Sequence, residues 1–246
     1  MTAPRAVEGD AAPGRRFGPG WARRTRIAVA LSLLAPWPGA VTAGETADTP
    51  RRVACLGDSN TAVVDPASGT TGWCERLAAS MSAAGVEFDN HAAPGATVCE
   101  PGWESRWAGP QLERALAGRP DVVVAAFGTN DLAVLHRRPE AVVECHAALR
   151  RALPEDVVFL VALAPPAYEA HAWLAPGVSE LGRLLRASFP PRHLVDFESG
   201  FTRGDFEADG LHANEAGQRL RAERARAVLE GVLGPGRGSP REGAGP

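Results

Sequence analysis

The serine at position 59 follows a short apolar segment and stands in a turn. Residues 53–56 are apolar, and Gly57, Asp58, Ser59 and Asn60 come directly after them. An apolar run of this length that ends in turn-forming residues is typical of a buried strand. A serine on the turn that leaves such a strand exposes its hydroxyl at the open end of the sheet, beside backbone N–H groups. Ser59 is therefore a candidate nucleophile, although the same residue types also form ordinary turns.

A second candidate site lies near the C-terminus, where Asp209 precedes His212 by three residues. On a turn that leads into a helix, this spacing can place the carboxylate against Nδ1 of the imidazole ring. The ring is then held in the tautomer whose Nε2 accepts a proton from a hydroxyl group. A purely local contact at the start of a helix is the alternative. The other histidines lack such a partner, and we interpret them as core or surface residues: His91, His136, His146, His171 and His193.

The pattern of apolar segments predicts alternating strands and helices. The predicted strands cover approximately residues 52–56, 86–90, 121–127, 157–163 and 193–197. The predicted helices cover approximately residues 71–84, 110–117, 139–153, 177–188 and 214–233. Strands that are almost wholly apolar and alternate with helices indicate a parallel sheet covered on both faces. We therefore expect one α/β domain, a three-layer α/β/α sandwich with about five parallel strands.

Four segments that follow predicted strands carry polar or glycine residues. They contain Ser59, Gly95, Asn130 and the pair Asp209 and His212. In open parallel sheets, ligands bind outside the carboxyl ends of the strands. We therefore expect these segments to converge on one edge of the sheet. No GxGxxG or phosphate-binding loop follows the first strand, which argues against a nucleotide-binding protein of flavodoxin type.

The two ends of the chain differ from this domain in composition. Basic residues precede a short apolar run at residues 27–35, and small residues at 41–43 offer a cleavage site. This pattern predicts a secretory signal peptide over residues 1–43, because a membrane span needs about 20 apolar residues. A retained anchor is the alternative, and Arg23 with Arg24 leaves general and twin-arginine export both open. We assign residues 44–233 to the folded domain and residues 234–246, rich in Gly, Pro and Arg, to a disordered tail.

Charge and cysteine content bear on partners and location. The formal net charge of −3 argues against a nucleic-acid-binding surface. Four cysteines in an exported chain predict two disulfides with three possible pairings, and no CxxC spacing indicates a metal site. We favour Cys55–Cys74 and Cys99–Cys145, because Cys55 ends the first strand and Cys74 opens the next helix. Free buried thiols are the alternative.

Together, the four segments resemble the SGNH/GDSL family of esterases and lipases. They occur in the family's order, as Gly57-Asp58-Ser59, Gly95, Gly128-Thr129-Asn130-Asp131 and Asp209-Gly210-Leu211-His212. The resemblance spans approximately residues 51–217 and implies a flavodoxin-like α/β/α fold. One departure is Ala213, where family members often have Pro. That difference alters the start of the following helix and leaves the catalytic groups unchanged.

The resemblance also implies a role for each matching residue. Ser59 would be the nucleophile, His212 the general base and then the general acid, and Asp209 the residue that orients the imidazole. The N–H groups of Ser59 and Gly95 and the side-chain amide of Asn130 would form the oxyanion hole. The reaction would be a two-step acyl transfer through an acyl-enzyme, without a metal ion or cofactor. Activity should fall at low pH as His212 becomes protonated.

The expected protein is a secreted, monomeric esterase that acts on a small-molecule ester. We expect short acyl chains, because the mature chain shows no long amphipathic segment that could serve as a lid. We expect no nucleic-acid partner and no stable membrane insertion once the signal is removed. The alternatives are a lipase or lysophospholipase, an acyltransferase and a non-catalytic binding protein. Aromatic residues on loops would rim the site or pack beneath it: Trp103, Trp107, Tyr168 and Trp173.

Overall fold

The computed structural model describes residues 51–63, 69–100 and 107–234. The predicted signal peptide at 1–43, Trp103 and all but the first residue of the predicted tail lie outside these ranges. In the described ranges, no helix combines the length and apolar character needed to cross a bilayer.

Five strands form one parallel sheet. They are β1 (Arg51–Gly57), β2 (Val86–Asn90), β3 (Val122–Ala126), β4 (Val158–Ala162) and β5 (Leu194–Val195). The strand order is β2-β1-β3-β4-β5, and every neighbouring pair is parallel. The predicted parallel sheet is therefore confirmed, with β5 shorter than expected. The direction of winding reverses between β1 and β3, and the carboxyl ends of such strands border the usual ligand-binding crevice.

Seven α-helices are present in the described ranges. They are α1 (Ser59–Ala62), α2 (Trp73–Met81), α3 (Ala108–Ala117), α4 (Thr129–Ala133), α5 (Pro139–Arg151), α6 (Ala175–Ser188) and α7 (Glu215–Leu233). Short 3₁₀ segments occupy Ser82–Ala84, Glu169–Leu174, Pro191–His193 and Arg203–Asp205. The sequence analysis missed α1 and α4, because helices of four or five residues are too short to show helical periodicity.

Helices cover both faces of the sheet. Val122 and Val124 of β3 pack with α2 and α7, whereas Val123 and Ala125 pack with α3, α5 and α6. This alternation follows from the pleat, which points successive side chains to opposite faces. Since both faces are buried in apolar cores, the polar chemistry of the protein must lie at the ends of the strands.

Two disulfide bonds connect the layers. Cys55 of β1 is bonded to Cys74 of α2, and Cys99, in the segment after β2, is bonded to Cys145 of α5. No free cysteine remains. This pairing is the one that the sequence favoured. The second bond ties a loop at the carboxyl edge of the sheet to a helix of the core.

Candidate active site

Ser59 is the first residue of α1, and Asp58 alone separates it from the end of β1. The side chain of Asp58 caps this short helix by accepting a hydrogen bond from the N–H of Asn60, at 2.9 Å. The turn requires glycine at position 57, since a Cβ there would lie 2.4 Å from Oγ1 of Thr61. Gln111 bonds both the N–H and the carbonyl of Gly57, at 2.9 and 3.0 Å. Asp58 and Gln111 thus fix the start of α1, where Ser59 is half-buried.

The structure brings Ser59, His212 and Asp209 into one hydrogen-bonded line. Nε2 of His212 lies 2.9 Å from Oγ of Ser59, and Nδ1 lies 2.5 Å from Oδ2 of Asp209. The other oxygen of Asp209 accepts from the N–H groups of Leu211 and His212, at 2.9 and 3.0 Å. Burial acts to raise the pKa of Asp209, but the bonds from His212 and the two N–H groups outweigh it and hold that pKa below its usual value. Asp209 is therefore a carboxylate at neutral pH.

The loop that carries this pair is a compact turn before α7. The carbonyl of His212 accepts from the N–H of Glu207, at 2.8 Å, and the side chain of Asn214 caps α7. Gly210 has a φ of +69°, and a Cβ there would lie 2.8 Å from the carbonyl of Tyr168. The Gly210 carbonyl in turn accepts from the N–H of Tyr168, at 2.8 Å. These contacts give the three-residue Asp-to-His spacing the geometry that the sequence predicted.

Gly95 follows β2 and Asn130 follows β3, the two neighbours of β1, and the two segments meet at the edge of the sheet. Gly95 has a φ of +74°, a conformation that glycine adopts without strain. Asn130 lies in α4, and its Nδ2 donates to the carbonyl of Ala96 at 3.1 Å, next to Gly95. In the described part of the chain, the N–H groups of Ser59 and Gly95 donate to no acceptor. Free N–H groups of this kind are available for an anionic oxygen.

A buried carboxylate supports this second group. Asp131 is fully buried and accepts from the N–H groups of Val98 and Cys99, at 3.0 and 2.9 Å. Burial raises the pKa of Asp131 to about 6, although these two hydrogen bonds oppose the shift. Asp131 thus ties α4 to the segment that contains Gly95, a segment that the Cys99–Cys145 disulfide also holds.

A cleft of about 380 Å³ opens beside Ser59 and His212. Its remaining lining comes from both polar and apolar residues: Asn60, Val63, Thr70, Glu207, Ala208, Asp209, Ala213 and Gln218. Within the described ranges, no group of three or more His, Cys, Asp or Glu side chains is arranged to hold a metal ion.

The predicted loop aromatics have different environments. Tyr168 packs against Phe206, with ring centroids 5.3 Å apart, and its hydroxyl donates to the carbonyl of Phe201. Trp107 is half-buried at the start of α3. Trp173, on the 3₁₀ turn after β4, is 59% exposed. Tyr168 therefore has a packing role, and Trp173 is the described aromatic with the most surface free for contact.

The sequence analysis missed three buried polar residues beneath the site: Asn60, Gln218 and Arg221. The only signal in the sequence is their spacing. Gln218 and Arg221 fall on the same face of α7 as Ala225 and Leu229, which is the face that packs on the sheet. A polar residue on a core-facing stripe needs a buried hydrogen-bond partner. Gln218 and Arg221 both have Asn60 as a partner, and this partner cannot be deduced from the sequence of α7 alone.

Comparison with known proteins identifies the family of this chain. The GDSL-like lipase/acylhydrolase family profile matches residues 55–220, which is more than half of the chain. No curated protein matches the sequence significantly.

Solved structures share the fold at low identity. A carbohydrate esterase family 3 protein from Talaromyces cellulolyticus has a TM-score of 0.59 at 18% identity, covering 74% of this chain and 98% of its own. A lipolytic G-D-S-L family protein from Veillonella parvula has a TM-score of 0.60 at 21% identity, covering 73% and 98%. A carbohydrate acetylesterase family member from Sinorhizobium meliloti has a TM-score of 0.59 at 19% identity, covering 74% and 99%. With the matching profile and the shared fold, the chain belongs to the GDSL-like lipase/acylhydrolase family, as its four sequence motifs predicted.

Proposed function

We propose that the protein is a secreted serine esterase that hydrolyses carboxylic esters of small or short-chain acids through an acyl-enzyme. The observation that carries the proposal is the line of hydrogen bonds from Ser59 through His212 to Asp209, at 2.9 and 2.5 Å. A hydroxyl, an imidazole and a carboxylate in this order form a nucleophile, a base and a group that orients the base.

The first half of the reaction forms the acyl-enzyme. Nε2 of His212 removes the hydroxyl proton of Ser59 as Oγ bonds to the ester carbonyl carbon. The carbonyl oxygen becomes an oxyanion, and Asp209 stabilises the imidazolium. When the carbonyl re-forms, the bond to the alkoxy oxygen breaks and His212 returns the proton to that oxygen. The alcohol then leaves, and Ser59 carries the acyl group.

The second half returns the enzyme to its starting state. His212 takes a proton from a water molecule, whose oxygen attacks the acyl carbon. Collapse of this second intermediate breaks the bond to Oγ, and the proton on His212 passes to Ser59. The products are a carboxylic acid and the regenerated hydroxyl. In both halves, the N–H groups of Ser59 and Gly95 and the amide of Asn130 would stabilise the oxyanion.

The cleft indicates where the alcohol part of the ester lies. His212 must reach the leaving oxygen, so the alcohol part belongs on the side of Ser59 that faces His212. The cleft of about 380 Å³ is on that side, and Glu207 and Thr70 contribute polar groups to it. An alcohol with hydroxyl groups of its own matches this lining. Two of the structural neighbours, a carbohydrate esterase and a carbohydrate acetylesterase, support such an alcohol, and the second also supports a small acyl group.

Export of the protein is part of the proposal. The predicted signal peptide at residues 1–43 and the two disulfides support an oxidising location. The N-terminal sequence of the protein recovered from the culture medium or cell envelope tests it. A chain that begins near residue 44 is expected, whereas an intact N-terminus on a cytoplasmic protein would contradict export.

The decisive test is hydrolysis of p-nitrophenyl esters from acetate to palmitate by residues 44–246. The wild type should favour acetate and butyrate, and Ser59→Ala should fall to background. Ser80→Ala is the matched control, since Ser80 is exposed on α2 and its hydroxyl donates to the carbonyl of Leu77. A preference for palmitate would replace the short-chain proposal with a lipase. Faster product formation with an added acceptor alcohol would indicate an acyltransferase.

A fluorophosphonate probe separates an unsuitable substrate from an inactive site. If the protein hydrolyses none of the esters but the probe labels Ser59, its natural ester is more specialised. If the probe fails to label the folded protein, the binding-protein alternative is favoured and the proposed chemistry is wrong.

A further inference from the structure

We infer that Asn60 is a positioning residue that sets the distance between the nucleophile and its base. The inference rests on the proposed function and concerns the fourth position of the G-D-S-L motif, where this chain has Asn60 in place of Leu. Asn60 follows Ser59 in the chain, and its side chain contacts the backbone on both sides of His212. One residue therefore connects the two loops whose side chains must meet.

The contacts of the Asn60 side chain are specific to an amide. Oδ1 accepts from the N–H of Ala213 at 3.0 Å, and Nδ2 donates to the carbonyl of Leu211 at 3.3 Å. A planar group with an acceptor on one side and a donor on the other matches an N–H and a carbonyl two residues apart. Because His212 lies between them, the amide fixes the backbone from which the imidazole projects.

Two side chains of α7 hold Asn60 in turn. Its carbonyl accepts from Nε2 of Gln218 at 3.0 Å and from Nη1 of Arg221 at 3.2 Å. The same Nη1 donates to Oδ1 of Asn60 at 3.0 Å. Together with the bond from the Asn60 N–H to Asp58, the main-chain and side-chain polar groups of Asn60 all have partners. The residue is 6% exposed, so these bonds lie away from competing water.

Arg221 is a buried cation that holds Asn60 in place. Its guanidinium is 1% exposed and lies 5.7 and 5.8 Å from the ring centroids of Phe197 and Phe201. Among described residues, Nε and Nη2 have no hydrogen-bond partner, so its hydrogen bonds are confined to Asn60. Burial lowers the pKa of Arg221 to about 10, opposed by the nearby Asp58, and the group stays a cation at neutral pH. A buried cation is costly, and its charge strengthens the bonds to Asn60.

The proposed chemistry needs such a connection. Asp209 is three residues from His212 and orients the ring, but it belongs to the same loop and cannot fix that loop relative to Ser59. Asn60 supplies the link between loops that Asp209 cannot. A displacement of about 1 Å between reacting groups can cost about 10²-fold in rate, so losing the link should slow the chemical step while leaving the cleft able to bind substrate.

Two substitutions and a matched control test the inference on p-nitrophenyl acetate. Asn60→Leu removes both contacts to the His212 loop and should lower kcat about 10²-fold with KM within about threefold. Asn60→Asp keeps the acceptor for Ala213 and Arg221 but replaces the donor to Leu211 with an acceptor oxygen. It should lower kcat by about tenfold, an intermediate loss.

Asn90→Leu is the control. The Asn90 side chain also makes three hydrogen bonds, to the carbonyl of Thr61, to Glu75 and to the N–H of Ala92, but none reaches the His212 loop. It should keep kcat within about twofold of the wild type, with thermal unfolding measured beside kcat for each variant. A purely structural role for Asn60 would give the same result for both asparagines.

The rate at which a phosphonate labels Ser59 provides the second readout, and it should fall in parallel with kcat. If Asn60→Leu does not fold, the isosteric Asn60→Asp carries the test. The inference is overturned if the folded variants keep wild-type kcat, or if KM rises while kcat does not change. In those cases the wild type remains active and Ser59→Ala inactive, so the proposed function survives. An inactive, unlabelled wild type would instead overturn the proposed function.

Discussion

The two halves of the candidate site are held by different means. The Asp209 and His212 side chains are 40% and 34% exposed, and hydrogen bonds within a short loop and to Asn60 keep them in place. Asn130 and Gly95, by contrast, are adjacent to the fully buried Asp131 and to a segment that a disulfide ties to α5. In the first half the Asp209 and His212 side chains lie near solvent, although Asn60 beneath them is buried. In the second half the supporting groups, Asp131 and Cys99, are themselves buried in the core.

This difference fits the role that we propose for each half in catalysis. A general base must exchange protons with substrate and water, so it lies near solvent on a loop. Oxyanion donors act best when they are already oriented and do not move during the reaction. We therefore expect substitutions of Asp209 and His212 to affect activity without much loss of stability, and substitutions around the second half to affect both.

The largest effect should come from Asp209→Asn. The amide can hold the wrong tautomer of His212, and comparable changes in serine hydrolases lower kcat roughly 10⁴-fold. The unfolding midpoint should change little, because Asp209 is partly exposed. The measurement is kcat on p-nitrophenyl acetate beside thermal unfolding. Asp205→Asn, which alters a neighbouring acid of the same loop region with no contact to His212, is the control. Retention of more than a tenth of kcat by Asp209→Asn would show that this carboxylate does not orient the base.

Asn130→Ala should have the next largest effect. Removal of one oxyanion donor lowers kcat by about 10²–10³-fold, because the interaction is made mainly in the transition state. KM should stay within a few-fold of the wild type. Asn130→Asp replaces a donor with a charged acceptor and should be at least as inactive. A rise in KM with unchanged kcat would assign Asn130 to substrate binding instead.

The two disulfides should differ in their effect on activity. In the chain-entropy model, sequence separations of 46 and 19 correspond to about 4 and about 3 kcal/mol of stability for Cys99–Cys145 and Cys55–Cys74. Paired Cys→Ser variants, compared by urea unfolding, measure these losses. Only the loss of Cys99–Cys145 should also lower kcat, by several-fold, since it frees the segment beside Gly95. Equal activity of the two double variants would contradict the proposed division of the site.

The smallest effect on activity is expected at His146, a fully buried residue of α5. Burial lowers the pKa of His146 from its usual 6.5 to about 4. The unfolded chain therefore binds a proton at higher pH than the folded one, and stability is lost as pH falls from 6.5 through 4. The loss amounts to about 3 kcal/mol. Unfolding free energies at pH 7, 5.5 and 4.5 should fall less steeply for His146→Leu than for the wild type.

The exposed His136 supplies the control for this experiment. His136 has a φ of +49°, which asparagine tolerates, so His136→Asn is the suitable substitution. Its unfolding free energies at the three pH values give the reference for removing a histidine from the surface. If His146→Leu leaves the pH dependence of unfolding unchanged, then another group causes the loss of stability in acid. Neither variant should alter kcat at neutral pH.

Most of the architecture follows from the sequence because its signals are local. The apolar runs of β1 and β3 are long enough to indicate buried strands, and the helical spacing predicted α2, α3, α5, α6 and α7 within a few residues. The short helices α1 and α4 escaped detection, although their N-terminal residues include Ser59 and Asn130. Their motifs were nonetheless visible, since residue type and order carry that signal without any periodicity.

Motifs and apolar patterns within a few residues were enough to predict the family and the parallel sheet, and they made Ser59, His212 and Asp209 the candidates for the site. How those residues are held could not be predicted, because it depends on contacts between distant segments. The bonds of Asn60 to Leu211, Ala213, Gln218 and Arg221 join positions more than 150 apart in the chain. A hydrogen bond between distant segments leaves no periodic trace in the sequence, since its partners become neighbours only when the sheet and α7 pack together.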